Sequence, residues 1–143
     1  VSIVTQVVDA IVAALAQAPA VAAAVERRSR ARALPEALGS AVVVGALGAE
    51  PEQETLGFGD TAVWQVRIAV ECLVRAGAAV DAALDALVQA VYARLMTDPT
   101  LGGAVPAGLS RPSLSYDYDA LDARYASATL LITAHMEATG ASL

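Results

Sequence analysis

From Trp64 to Arg75 the chain alternates without a break. Trp64, Val66, Ile68, Val70, Cys72 and Val74 fall on one phase, and Gln65, Arg67, Ala69, Glu71, Leu73 and Arg75 on the other. A period of two is the mark of a strand, whose successive side chains point to opposite faces of a sheet. Six apolar residues in a row on one phase demand a face packed on a core. The other face is left to water or to a partner. A strand over 62–75 is therefore expected as the spine of the fold, and any architecture for this chain must cover that sheet on one side.

Two helical stripes can supply the cover. Ile3, Val4, Val7, Val8, Ile11, Val12 and Leu15 recur at helical spacing, with Ser2 placed to cap the first turn. Valine is a poor helix former, so tertiary packing must hold this segment. Pro19 marks its end, or the start of a short second piece over 20–25. A second helix is expected over 79–96, with Val80, Leu84, Leu87, Val88, Val91 and Leu95 on its stripe. Asp81 and Asp85 near its start and Arg94 near its end suit the helix dipole. Asp98-Pro99 stops it, and Gly102, Gly103, Pro106 and Gly108 make a loop.

Further strands are expected over 41–47 (AVVVGAL), over 112–119, and over 125–137. In the last, Ala126, Ala128, Leu130, Ile132, Ala134 and Met136 alternate with Tyr125, Ser127, Thr129, Leu131, Thr133, His135 and Glu137. The arginine-rich span near Arg27 can also be extended. Residues 48–61, with Glu50, Pro51, Glu52, Glu54, Gly57, Gly59 and Asp60, read as a mobile acidic loop. The order helix, strand, strand, long strand, helix, strand, strand predicts one α+β two-layer domain over 1–138. Its sheet is mostly antiparallel, with two main helices packed on one face, and a frayed tail follows at 139–143.

Composition excludes several classes. The chain has 143 residues, the size of one domain, and a net charge of −6, which disfavours a dedicated nucleic-acid binder. One cysteine and one histidine exclude an internal disulfide, a zinc ribbon and multi-histidine metal sites. The 34 alanines and the absence of lysine read as the bias of a GC-rich genome. Mean hydropathy is high at +0.55, yet no apolar run reaches the ~18 residues of a membrane span. Residues 2–18 carry Ser2, Thr5, Gln6, Asp9 and Gln17 and lack a basic lead, so neither a membrane helix nor a signal peptide is expected, and the reading is a cytoplasmic product.

The chemical inventory is thin. Gly57-Phe58-Gly59-Asp60-Thr61-Ala62 has the letters of a dinucleotide loop, but it precedes a strand where the motif needs a helix. Asp117, Asp119 and Asp122 fail the calcium-loop pattern and read as a solvated turn. Cys72 lies on the apolar phase, as an inert buried thiol. His135 has the outer phase, as a surface or interface residue. Trp64 reads as a core or rim residue. No nucleophile elbow, phosphate loop or zinc-protease motif occurs, and no cofactor is expected. The candidate interface residues are Arg27, Arg28, Arg30 and Arg32, with Glu50, Glu52 and Glu54 as their complement. In a strand Arg28, Arg30 and Arg32 would point the same way. The cluster reads as a solvated face, as a patch meeting those carboxylates across a subunit or tube contact, or, third, as a DNA contact. Arginine pairs with carboxylates and phosphates alike, so residue type does not choose.

The layout resembles a known family. It is carried by the N-terminal amphipathic helix, LPEALGSAVVV (Leu34 to Val44), WQVRIAVECLV (Trp64 to Val74), VDAALDALVQAVYARLMTDPTLGGAV (Val80 to Val105) and SATLLITAHMEA (Ser127 to Ala138). In this order, and in the LMTDPTLGG helix exit above all, the chain resembles the tail terminator, or minor tail protein, family of long-tailed bacteriophages and gene transfer agents. The resemblance implies a non-enzymatic virion protein at the tail–head junction, assembled in the host cytoplasm. It implies a homo-oligomeric ring, a hexamer, that caps the tail tube, stops its polymerisation and offers a surface to the head–tail connector protein. DNA would pass through the ring without specific binding, and no membrane is involved. Two other readings stand beside it. One is a head–tail connector or head-closure protein of the same assembly. The other is a cytosolic small-molecule-binding α+β domain, which requires Trp64, Tyr92 and His135 to face inward together. A hydrolase built on Asp117, Asp119 and Asp122 is the remaining enzymatic option.

Overall fold

The computed structural model of the chain describes residues 2–28, 39–52, 61–75, 79–117, 125–139 and 143. Its elements are α1 (Ile3–Ala16), β1 (Ala24–Arg27), β2 (Ser40–Pro51), β3 (Thr61–Arg75), α2 (Val80–Thr97), β4 (Ser113–Asp117) and β5 (Tyr125–Thr139). The sheet order is β1-β2-β3-β5-β4. β1 runs parallel to β2, and every other pairing is antiparallel. Both helices pack on the sheet, and the result is the single α+β domain that the residue pattern predicts.

The alternating phases settle which face is covered. Val66, Ile68, Val70, Cys72 and Val74 of β3 are buried, as are the even-numbered residues of β5 from Ala126 to Ala138. Ile3, Val7, Val8, Ile11 and Leu15 of α1 and Leu84, Leu87, Val88, Val91 and Leu95 of α2 close over them in one core. Ser2 caps α1, its hydroxyl accepting from the Thr5 N–H at 3.2 Å. No helix among the described residues is long and apolar enough to cross a membrane.

The helix exits are held by side chains. Arg94, near the end of α2, reaches across to the end of α1. Its guanidinium donates to the carbonyls of Ala14 (2.9 Å), Gln17 (3.0 Å) and Pro19 (2.6 Å). It thus closes the orphan carbonyls of the neighbouring helix, a role beyond the dipole placement expected of it. After α2 the Asp98 carboxylate accepts from the Thr100 hydroxyl at 2.7 Å and the Gly102 N–H at 2.8 Å. The Thr100 bond first, and then the Gly102 bond, hold its pKa below the ordinary carboxylate value. This brace contributes stability above the unfolded carboxyl pKa and loses it as pH falls through the lower folded value. Leu101, Gly102 and Gly103 follow with left-handed φ of 51°, 70° and 94°, a turn that two of these three residues adopt without a Cβ penalty.

Three expectations are corrected. Residues 20–25 are not a second helical piece, because Ala24–Arg27 pair with Ala41–Val44 as β1. The acidic loop expected over 48–61 begins later, because β2 continues through Glu50 and Pro51, in register with Gln65 and Trp64. A bulge between Ala46 and Gly48 takes up Leu47 and shifts the register by one residue, so that pairing continues with Gly48 opposite Arg67. The Glu52 N–H donates to the Val63 carbonyl at 2.8 Å, so alternation turns the Pro51 nitrogen to the outer edge, where no donor is needed. β4 covers 113–117, not 112–119, and β5 runs on to Thr139. The remainder of the acidic stretch, 53–60, and most of the tail, 140–142, lie outside the described residues.

Candidate functional site

With both helices on one side, the odd-numbered phase of β3 and β5 and the matching residues of β2 form the other face of the sheet. Register places Glu50, Gln65 and His135 side by side across three strands, and Gly48, Arg67 and Thr133 in the next row. The Arg67 guanidinium meets the Glu50 carboxylate at 3.1 Å. The guanidinium lies over Gly48, where an added Cβ would stand 3.4 Å from it, near ordinary contact distance. Glu52 accepts from the Gln65 amide at 3.3 Å, and the same carboxylate oxygen contacts His135 Nδ1. These groups are partly exposed, and each such pair is worth well under about 1 kcal/mol. Arg67 and Glu50 neutralise one another, and Glu52 has contacts within the chain to Gln65 and His135.

The candidate interface residues do not gather into one patch. Arg27 turns to the helix side and pairs with Asp9 of α1 at 3.0 Å. Arg28 turns the other way. Its N–H donates to the Val44 carbonyl at 2.8 Å, and its stem lies over Gly45, where an added Cβ would come within 3.1 Å of Arg28 Cβ and Cδ. Both sit near the middle of β2, whereas Glu50 and Glu52 stand at its far end. Those two glutamates are matched within the chain by Arg67 and His135. Arg30, Arg32 and Glu54 lie outside the described residues. The strand phases already put Gln65, Arg67 and His135 on the outer face, but their pairing depends on cross-strand register, which no local pattern reveals.

The reactive groups are kept apart. Cys72 is buried on the helix side, and its thiol pKa is pushed up to about 12 by burial and, second, by the charge of Glu71. His135 faces the opposite side of the sheet, so the two form no nucleophile–base pair. Trp64 packs toward the helices, Tyr92 meets the core from α2, and His135 looks outward, so the three do not line one pocket. Asp117 ends β4 in an exposed position, while Asp119 and Asp122 lie outside the described residues. Among the described residues no three potential ligands gather to hold a metal. A groove of about 990 Å³ between α1 and α2 is walled mainly by alanines, and its Arg94 is engaged with the carbonyls of α1.

A thiol in this state should not react with a disulfide reagent at pH 8 while the protein is folded, and should react at once in denaturant. Because the folded pKa is raised, the buried thiol contributes its full stability below the unfolded thiol pKa and loses it as pH climbs toward 12. Rapid labelling of the native protein would contradict this burial. Neither a protein-family model nor a curated protein matches this chain.

Proposed function

We propose that this chain is the subunit of a homo-oligomeric ring, a hexamer, that caps the end of a phage-like tail tube, halts tube growth and offers a surface to the head–tail connector protein. The observation that carries the reading is the one-sided sheet. Two helices seal one face, and the other bears polar groups, among them the Glu50–Arg67 pair and the Glu52, Gln65 and His135 cluster, with Glu71, Arg75, Glu137 and the exposed Leu131 on the same phase. A sheet face left open in this way is covered by water or by a partner, and a neighbouring subunit is a partner that can match its charges. The layout of the sequence supports the same reading. The role is structural and proceeds by binding without turnover. DNA crosses the lumen unbound, in keeping with a net charge of −6.

The test is assembly. Native mass spectrometry of the purified protein should give a closed multiple of the chain mass. Electron microscopy of polymerising tail tube subunits should show tubes of limited length with a ring at one end when the protein is added. A strict monomer that leaves tube growth unchanged would refute the reading.

A further inference from the structure

The open face of the sheet carries a charge pattern that reverses sign about its middle. Ala69 of β3 and Leu131 of β5 are register partners near the centre of both strands, and Leu131 is 43% exposed. Two residues along β3 in one direction stands Arg67, opposite Thr133, and two residues in the other direction stands Glu71, opposite Thr129. Six residues from the same central row, Glu137 lies opposite Val63 at one end, and Arg75 closes β3 at the other. All of these share the outer phase. At each distance a cation on one side is answered by a carboxylate on the other. Among the described residues Glu71, Arg75 and Glu137 make no ion pair, and Arg67, paired with Glu50, keeps a side chain 55% exposed. The stem of Arg28 lies over Gly45, the β2 partner of Ala69, and borders this strip.

A pattern that changes sign on reversal is complementary to itself. A second copy turned about a two-fold axis that crosses the strands at Ala69 and Leu131 sets each of these cations toward a carboxylate. We propose that the outer sheet face packs on the same face of a second copy about this axis, with Leu131 against its own counterpart and Arg67 facing Glu71 twice over. Sheets packed face to face lie about 10 Å apart and within about 30° of alignment, a gap that an arginine and a glutamate span together. A two-fold axis along the strands would instead set Arg67 on Arg67 and Glu71 on Glu71, and like charges reject that arrangement. The inference goes beyond the ring reading and does not depend on it. A two-fold contact ends at two copies, whereas a ring needs a head-to-tail joint. The pair is therefore the form of the free chain, and a ring that buries the same face must first part it.

Charge reversal tests the contact. Arg67→Glu and Glu71→Arg are made separately on the open face, and circular dichroism checks that each remains folded. The parent should sediment as a dimer. Each variant alone should dimerise roughly tenfold more weakly or worse, because like charges then meet twice across the axis. Mixed in equal amounts, the two variants should recover a dimer with one chain of each, since both pairs return with their signs exchanged. Should either variant fail to fold, Leu131→Asp tests the axis by setting two carboxylates against each other, and it too should weaken the dimer. A parent found only as a monomer or a larger ring, or variants that dimerise alone as the parent does, would overturn this contact and leave the ring reading to its own test with tail tubes. Variants that fail alone and also fail to pair with each other would overturn the two-fold axis. A parent dimer parted by the single reversals and restored by mixing, but without effect on tube growth, would uphold the contact and refute the ring.

Discussion

Ile68→Ala is expected to lower the unfolding free energy by about 4 kcal/mol, the upper part of the range for emptying a core site. Ile68 has no exposed surface and lies mid-way along β3, the central strand of the five. Its register partners are Ala46 on one side and Ile132 on the other, and Ile132 is itself buried. A cavity there is walled by two strands and capped by helices, so little can collapse into it. Domains of this size unfold with about 5–15 kcal/mol, so the loss is a large part of the total. It should appear as a fall in melting temperature of roughly 10–15 °C. Ile68→Val, which removes one methyl, should cost about 1 kcal/mol. Chemical denaturation of the three proteins checks both values. Equal effects of the two substitutions would mean that the site is not packed as described.

Arg94→Met should destabilise the fold by about 2 kcal/mol, the scale for a hydrogen-bonded charged group. Methionine keeps most of the apolar stem and removes the guanidinium, so the loss isolates the bonds to Ala14, Gln17 and Pro19. Those carbonyls then have only water to satisfy them. The effect should be local as well as global. Amide exchange in the last turn of α1 should speed up more than exchange in β3, since α1 is tied there from a residue 80 positions away. Arg94→Lys should recover only part of the loss, because one ammonium group cannot reach three carbonyls as a planar fork does. Uniform acceleration across the whole chain would point to global destabilisation without the cap.

These two residues also mark what could be read from the amino-acid order. Ile68 was legible: unbroken alternation from Trp64 to Val74 identifies a half-buried strand and names its core phase. β5 is legible in the same way, and the stripes of α1 and α2 give both helices. The sequence of seven elements follows, and with it the α+β class. Arg94 was only half legible. Its place near a helix end was evident, but its partners come from tertiary packing between segments far apart in sequence. Beyond Leu47 the end of β2 is hidden in the sequence, because Gly48, Glu50 and Pro51 have loop propensities. Pairing with β3 overrides them, and the outer edge tolerates the missing N–H of Pro51. The surroundings of the candidate interface residues were the least legible. Arg27 and Arg28 are neighbours in sequence, but a strand sends them to opposite faces, and Glu50 and Glu52 already have partners inside the chain.

The strand order β1-β2-β3-β5-β4 also has a temporal meaning. β5 is made last of the five, yet it lies between β3 and β4. While the ribosome is still translating it, β3 has one bare side and β4 has nothing to lie against. The nascent polypeptide thus cannot display its outermost ribbon in ordered form before its inner strand has arrived. Such non-local closure is slow compared with helix formation. It also means that the long inner strand β3 keeps an open side until the last strand is complete, so the sheet closes only when nearly all of the chain has been made.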